Sequence, residues 1–331
     1  MLTVGFHQPH LCLRGTTVAM YDYANFNQTI LGNKSIVFYC PNHPLNNETV
    51  IKKFMNANIE LVPVTSNESI KDGYGAGEEN FESIVKKKNI DILYITKGGK
   101  KDSRMVYSCK TAIQAIGTAS YASHKHGDIY TYGSKWLSDY CSNGQAPYVP
   151  YMVHLPDVNE NLRDHYGIPK DAIVFGRTGG LDTWNIPYAN AVIKKALEAK
   201  GNIYFLFQNT PVNFTHPRII HVKNTADLHY KTKFINSCDA MIHARVEGES
   251  FGLACAEFSI RNKPVITWKH SREKNHILIL GEKGIYYGTD QEMLDRLLNF
   301  VPDPSKDLNC YREYSPENVM KLFNKVYLSG L

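Results

Sequence analysis

The chain has no Cys-x-x-Cys pair, no apolar run approaching the roughly 20 residues of a membrane span, and no basic leader ahead of a sustained apolar core. Its seven cysteines (Cys12, Cys40, Cys109, Cys141, Cys238, Cys255 and Cys310) are scattered and odd in number. That pattern argues against both a disulfide framework and a zinc site, and reduced cysteines packed as small hydrophobes are expected. The opening MLTVGFHQPHLCL does not read as a signal peptide, so a soluble, cytoplasmic protein without a membrane span is expected and the Asn-x-Thr sequons carry little weight. No Asp-x-Asp triplet and no HExxH spacing occurs, so no metal ligand is named and no cofactor is expected. A broad basic face with interleaved aromatics is also missing. The net charge is only +5, with local clusters at Lys86-Lys87-Lys88 and Lys97 to Lys101, so nucleic acid is not expected as a partner.

What is present is an ordinary globular composition, 43% hydrophobic and 21% charged over 331 residues, long enough for two cores. Short apolar runs alternate with helical stretches in two series. In the first, strands are predicted at 2–6, 35–39, 59–64, 91–95, 112–116 and 129–132. Helices are predicted over 17–31 and 49–56, and over 135–141 with Ser134 as its cap. Pro147, Pro150 and Pro156 punctuate the next segment. In the second series, strands are predicted at 172–175, 203–207, 218–222, 240–242 and 264–267, with helices over 187–200 and 225–237. A last amphipathic helix is predicted over 316–327. The pattern predicts an α/β protein of two Rossmann-like βαβ domains facing a central cleft. The expected boundaries are 1–155, 156–312 and a final 313–331 helix returning to the first domain.

The densest signal is the run from Asp239 to Trp268. A strand leads to Glu249-Ser250-Phe251-Gly252-Leu253, predicted to open a helix that carries Glu257 and leads to another strand. Amides of Phe251, Gly252 and Leu253 at such a helix start suit a phosphate. Glu257 falls nearly two turns beyond Glu249, on about the same helical face. On spacing alone, an acidic helix start plus an ordinary helical glutamate explains these residues as well as a binding site does. Likewise Gly179-Gly180 would serve a simple turn or a close phosphate approach, and Thr16 or Thr17 would serve to cap a helix.

Taken together, Asp239, the small-residue loop, Glu249-Ser-Phe-Gly, Glu257 and Asn262-Lys263-Pro264-Val265-Ile266 resemble the E-x7-E signature of glycosyltransferase family 4. The spelling His243-Ala-Arg245 before Gly248-Glu249 is similar to a virus-encoded, chlorovirus-like subgroup, for which the location would be the host cytoplasm. The resemblance implies the GT-B fold and a retaining, metal-independent glycosyltransferase. Its donor would be a nucleotide sugar, GDP-mannose first and UDP-glucose or UDP-N-acetylglucosamine next, and its acceptor a glycan or glycoprotein. It also implies the roles of individual residues. Glu249 contacts the transferred sugar, Glu257 the ribose, and Ser250, Phe251, Gly252 and Leu253 the sugar and distal phosphate. Arg177, after the first strand of the second domain, meets the diphosphate.

The family's lysine shortly after that arginine is missing from Thr178 to Trp184, and Arg245 is the candidate replacement. The resemblance sets Gly15, in the loop Leu13 to Thr17, where the family's glycine-rich loop faces the donor phosphate and acceptor. Asn209 and the loop after Val222 are the candidates for the nucleobase, with Gly179 beside the phosphates. Lys97 and His126, with His124, are candidate cleft residues. A homodimer is open to such a chain without any residue arguing for it. A non-catalytic nucleotide-sugar or glycan-binding protein, and an epimerase or phosphorylase of the same fold, are the alternative readings. The loop from Asn67 to Asn80 is expected on the acceptor side, with no readable code.

Overall fold

A computed structural model describes residues 1–64, 81–102 and 105–331; the loop from Asn67 to Asn80 lies outside the described residues. The chain divides into two compact units. The first is Met1–Met152 with Tyr314–Leu331, and the second is Val153–Glu313.

The first unit is built on six parallel strands: β1 (Thr3–His7), β2 (Lys34–Tyr39), β3 (Glu60–Pro63), β4 (Ile92–Lys97), β5 (Lys110–Ala115) and β6 (Ile129–Tyr132). Their order is β3-β2-β1-β4-β5-β6. The runs Ile36-Val37-Phe38 and Ile92 to Ile95 are buried on both faces, as strands covered by helices on each side must be. The helices are α1 (Gly15–Thr29), α2 (Glu48–Asn56), α3 (Phe81–Lys87), α4 (Tyr121–His124) and α5 (Lys135–Ser142). Ser134 caps α5 as predicted, its hydroxyl accepting from the Leu137 amide at 3.2 Å. α1 departs from expectation. Its cap is Arg14, without a side-chain bond, and Thr17 lies inside the helix, accepting from Gln8 Nε2 at 2.9 Å.

The second unit repeats the plan with β7 (Ile173–Thr178), β8 (Ile203–Gln208), β9 (Ile219–Val222), β10 (Ala240–His243), a two-residue β11 (Gly248–Glu249), β12 (Val265–Trp268), a two-residue β13 (Glu273–Lys274) and β14 (Ile285–Tyr287). The main sheet runs β14-β12-β10-β7-β8-β9, all parallel, and β11 pairs with β13 as a separate ribbon. Helices α6 (Ala189–Ala199), α7 (Leu228–Ser237), α8 (Leu253–Ile260), α9 (Asn275–Leu280) and α10 (Asp290–Leu298) accompany it. Phe175, Phe205, Val192, Ile193, Met293 and Leu297 share one core on one face of the sheet, while Phe234 of α7 meets Phe258 of α8 edge-on at 5.9 Å. Both sheets reverse their strand order beside their first strand, and open α/β sheets bind ligands outside the carboxyl ends of the strands at such a point.

The last helix, α11 (Pro316–Phe323), belongs to the first unit and packs against α1. Phe323 lies against Tyr23 and Tyr94, at ring distances of 5.2 and 5.8 Å. The α-helix stops at Phe323 rather than running to Tyr327. A π-helical turn over Asn324–Leu328 follows, and it lets Tyr327 place its hydroxyl 2.6 Å from Thr131 Oγ1. No helix among the described residues is long and apolar enough to cross a membrane.

Candidate active site

In the second unit the strand order reverses between β7 and β10, and these strands bring Arg177 and His243 to the carboxyl end of the sheet. Arg177 is 1% exposed, which for a guanidinium demands compensation. Its Nη2 donates to the Thr183 carbonyl and hydroxyl at 3.1 and 2.7 Å, and the Glu249 charge opposes the effect of burial, which lowers its pKa. Thr183 closes a turn onto the Gly180 carbonyl. A Cβ on Gly179 would strike the Arg177 guanidinium, so this glycine leaves room for the arginine. Gly179 and Gly180 therefore serve a turn and a packed guanidinium.

Glu249 is not in a helix. It ends the ribbon β11, and α8 starts four residues later, at Leu253, behind Gly252 with φ +90°. A Cβ on Gly252 would lie 3.0 Å from the His276 Cβ and 3.3 Å from the Glu249 Cβ, in a backbone conformation that disfavours side chains. The predicted helix opening over 249–253 is therefore corrected: the ribbon and the left-handed glycine hold these residues in a loop. Glu249 and Glu257 do not share a helical face. The loop is fixed from behind, since the Phe251 carbonyl accepts from Asn275 Nδ2 and from the Tyr311 hydroxyl, each at 3.2 Å. Ser250 is half-buried, Phe251 is buried, and Leu253 is half-buried at the helix start.

The two oxygens of Glu249 have different partners. His243 Nε2 lies 3.1 Å from Oε1, and Arg245 Nη1 lies 3.1 Å from Oε2. Burial pushes the Glu249 carboxyl up, but the His243 hydrogen bond and the Arg245 charge outweigh it and hold the group down at about 2. Arg245 is thus spent partly on the carboxylate. Glu257, buried on α8, pairs with Lys231 of α7 at 2.7 Å. Lys231, Thr183, His243 and His276 received no role in the sequence reading. His243 could have been assigned one from its strand-end position beside Arg245. Lys231 and His276 carried no such signal, because only the fold brings them close.

Glu273, of the ribbon partner β13, is pushed up to about 7 by burial; Arg245 opposes this, and Glu247 and Glu249 add to it. Asn209, with φ +50°, donates through its side chain to the Gly179 carbonyl at 2.6 Å, tying two strand-end loops together. Val222 turns its side chain into the core, 7% exposed.

In the first unit, Gly15 starts α1 with open space beside it. The nearby Gln8 is 5% exposed, and its Oε1 makes no hydrogen bond. Lys97 and His126 do come together: Lys97 Nζ lies 2.6 Å from Asp102 Oδ1 and 3.2 Å from His126 Nε2. Lys97 and His126 are buried, and Asp102 is partly exposed. His124 receives the Lys101 amide at 3.5 Å.

No protein-family model matches the chain, and no curated protein matches it by sequence. Solved structures do match its fold. A glycosyltransferase from Rickettsia africae is 15% identical over 97% of this chain and 94% of its own, with a TM-score of 0.63. HepE of Anabaena, solved with UDP and glucose, is 11% identical over 99% and 96%, with a TM-score of 0.66. WaaG, a glycosyltransferase involved in lipopolysaccharide biosynthesis, is 12% identical over 98% and 99%, with a TM-score of 0.64. The shared architecture is GT-B, two Rossmann-like domains with parallel sheets.

Proposed function

We propose that this chain is a retaining, metal-independent glycosyltransferase of the family 4 type. It would take a nucleotide sugar at the carboxyl ends of β7 and β10. The observation that carries this reading is the convergence there of Arg177, Arg245 and Glu249 beside the start of α8. A departing diphosphate needs positive charge and amide donors. A sugar carbon developing cationic character needs a fixed anion nearby.

In the proposed reaction the bond from the sugar C1 to the diphosphate oxygen breaks while the acceptor oxygen attacks from the same face. The acceptor's proton passes to the leaving phosphate. Arg177 and the α8 amides stabilise the departing charge, and Glu249 positions the sugar without forming a covalent bond. Glu257, steadied by Lys231, holds the ribose hydroxyls. That HepE binds UDP and glucose on the same fold supports a nucleotide-sugar donor.

GDP-mannose is the first donor to try, and UDP-glucose and UDP-N-acetylglucosamine the next; the acceptor is a glycan or glycoprotein. Calorimetry of the full chain against this donor panel, with and without EDTA, tests the reading. One nucleotide sugar should bind in the micromolar range, unaffected by chelation, and yield product of retained configuration when an acceptor is supplied. Binding of none, or binding lost with EDTA, overturns it.

A further inference from the structure

Behind Glu249 lies a chain of buried polar groups that the reaction above does not use. His243 Nε2 lies 3.1 Å from Glu249 Oε1. His243 Nδ1 lies 2.9 Å from Thr267 Oγ1, and Thr267 Oγ1 lies 3.1 Å from His276 Nε2. His243, Thr267 and His276 are all 0% exposed. The β10–β12 register sets His243 directly beside Thr267, and α9 begins at Asn275 and presents His276 on the other side of the same hydroxyl.

The proton positions follow from the end of the chain. A carboxylate only accepts hydrogen bonds, so the His243 nitrogen facing it carries the proton. A neutral His243 then has a lone pair on Nδ1, which the Thr267 hydroxyl hydrogen satisfies. Having spent its single hydrogen, Thr267 Oγ1 must accept from His276 Nε2–H. Every donor therefore points toward Glu249. The far nitrogen, His276 Nδ1, is buried without a hydrogen bond, and the Glu249 backbone carbonyl, which favours a proton on this ring, is the one group that opposes this tautomer.

We propose that His243, Thr267 and His276 are positioning residues, a hydrogen-bond chain directed at Glu249 that fixes the orientation of its carboxylate from behind. Arg245 holds the other oxygen, so the two contacts together fix the carboxylate plane. Burial keeps the rings neutral: it lowers His243 against the pull of Glu249, and it pushes His276, beside His243, down to about 3. A neutral chain suits the role, because it orients the anion without cancelling its charge. The effect on turnover rests on the function proposed above, whereas the chain itself does not.

Long-range proton–nitrogen spectra of the full chain labelled with 15N-histidine test the chain without any substrate. Both rings should appear at pH 7 as neutral Nε2–H tautomers, and Thr267→Val should shift the His243 Nδ1 resonance. An Nδ1–H tautomer or an imidazolium at either residue overturns the chain. With a donor that the wild-type chain turns over, Thr267→Val should lower kcat about tenfold and leave the donor KM within twofold. Thr267→Ser, which keeps the hydroxyl, and His276→Gln, whose side-chain amide can still donate to it, should each retain most of the wild-type rate. If Thr267→Val shifts the His243 signal in a folded protein and leaves kcat unchanged, the positioning role is wrong. A wild-type chain that turns over no nucleotide sugar overturns the proposed function instead, and the spectra still decide the chain.

Discussion

Lys231 Nζ sits 2.7 Å from Glu257 Oε1 and joins α7 to α8, with 14% and 6% of the two side chains exposed. A buried pair of this kind adds little net stability while intact, but removing one partner strands a charge. Lys231→Met should therefore cost about 3 kcal/mol in chemical denaturation. Lys231→Met with Glu257→Leu should recover most of that loss. If the two single costs simply add in the double variant, the pair is not coupled.

Glu249 is the residue whose charge and shape can be separated. Glu249→Gln keeps the side-chain volume and removes the anion, so sugar transfer should fall about 100-fold or more. Nucleoside diphosphate affinity should stay within about twofold, because the proposed phosphate contacts come from Arg177 and from backbone amides. Calorimetry with the free diphosphate measures the second quantity. An equal loss in both would move Glu249 from the sugar to the phosphates.

Glu273 and Glu249 should pull the stability profile in opposite directions. The Glu273 carboxyl is raised to about 7 by burial. It is neutral in both folded and unfolded chains below its ordinary range, so stability is fully present there and is lost as pH rises through 7. Glu249 is lowered to about 2, so its contribution is present above the ordinary carboxylate range and disappears as pH falls toward 2. Glu273→Gln should then raise the melting temperature at pH 8 and leave it nearly unchanged at pH 4. An equal gain at both values would mean that titration is not the cause.

These residues also mark how far the sequence could be read. The strands were legible because runs such as Ile92 to Ile95 and Phe205 to Phe207 are apolar on both faces, and alternation with helices implied parallel sheets. Glu249 and Arg177 could be named as candidates because one sits in the run that resembles a family signature and the other at a strand end. The ribbon of Gly248–Glu249 with Glu273–Lys274 was not, since two residues carry no periodicity. Without that ribbon, Gly252 looked like a residue inside the helix, whereas it is the left-handed residue in front of it. His276 and Lys231 were beyond reach for another reason. Each acts through a partner distant in sequence, and nothing in its neighbours marks the contact.

Arg177 offers the sharpest test of whether the site is packed or merely charged. Its Nη2 is held by Thr183, and its guanidinium occupies the space that a Gly179 side chain would need. Lysine supplies the charge but not the planar guanidinium that fills this space, so Arg177→Lys should weaken nucleoside diphosphate binding about tenfold or more. Gly179→Ala should weaken it to a similar extent without touching any phosphate, by displacing the guanidinium. If Gly179 acts only through Arg177, the double variant should bind no more weakly than Arg177→Lys alone. If the two losses instead add, Gly179 has a contact of its own with the ligand. The close phosphate approach that its sequence first suggested would then hold alongside its packing role.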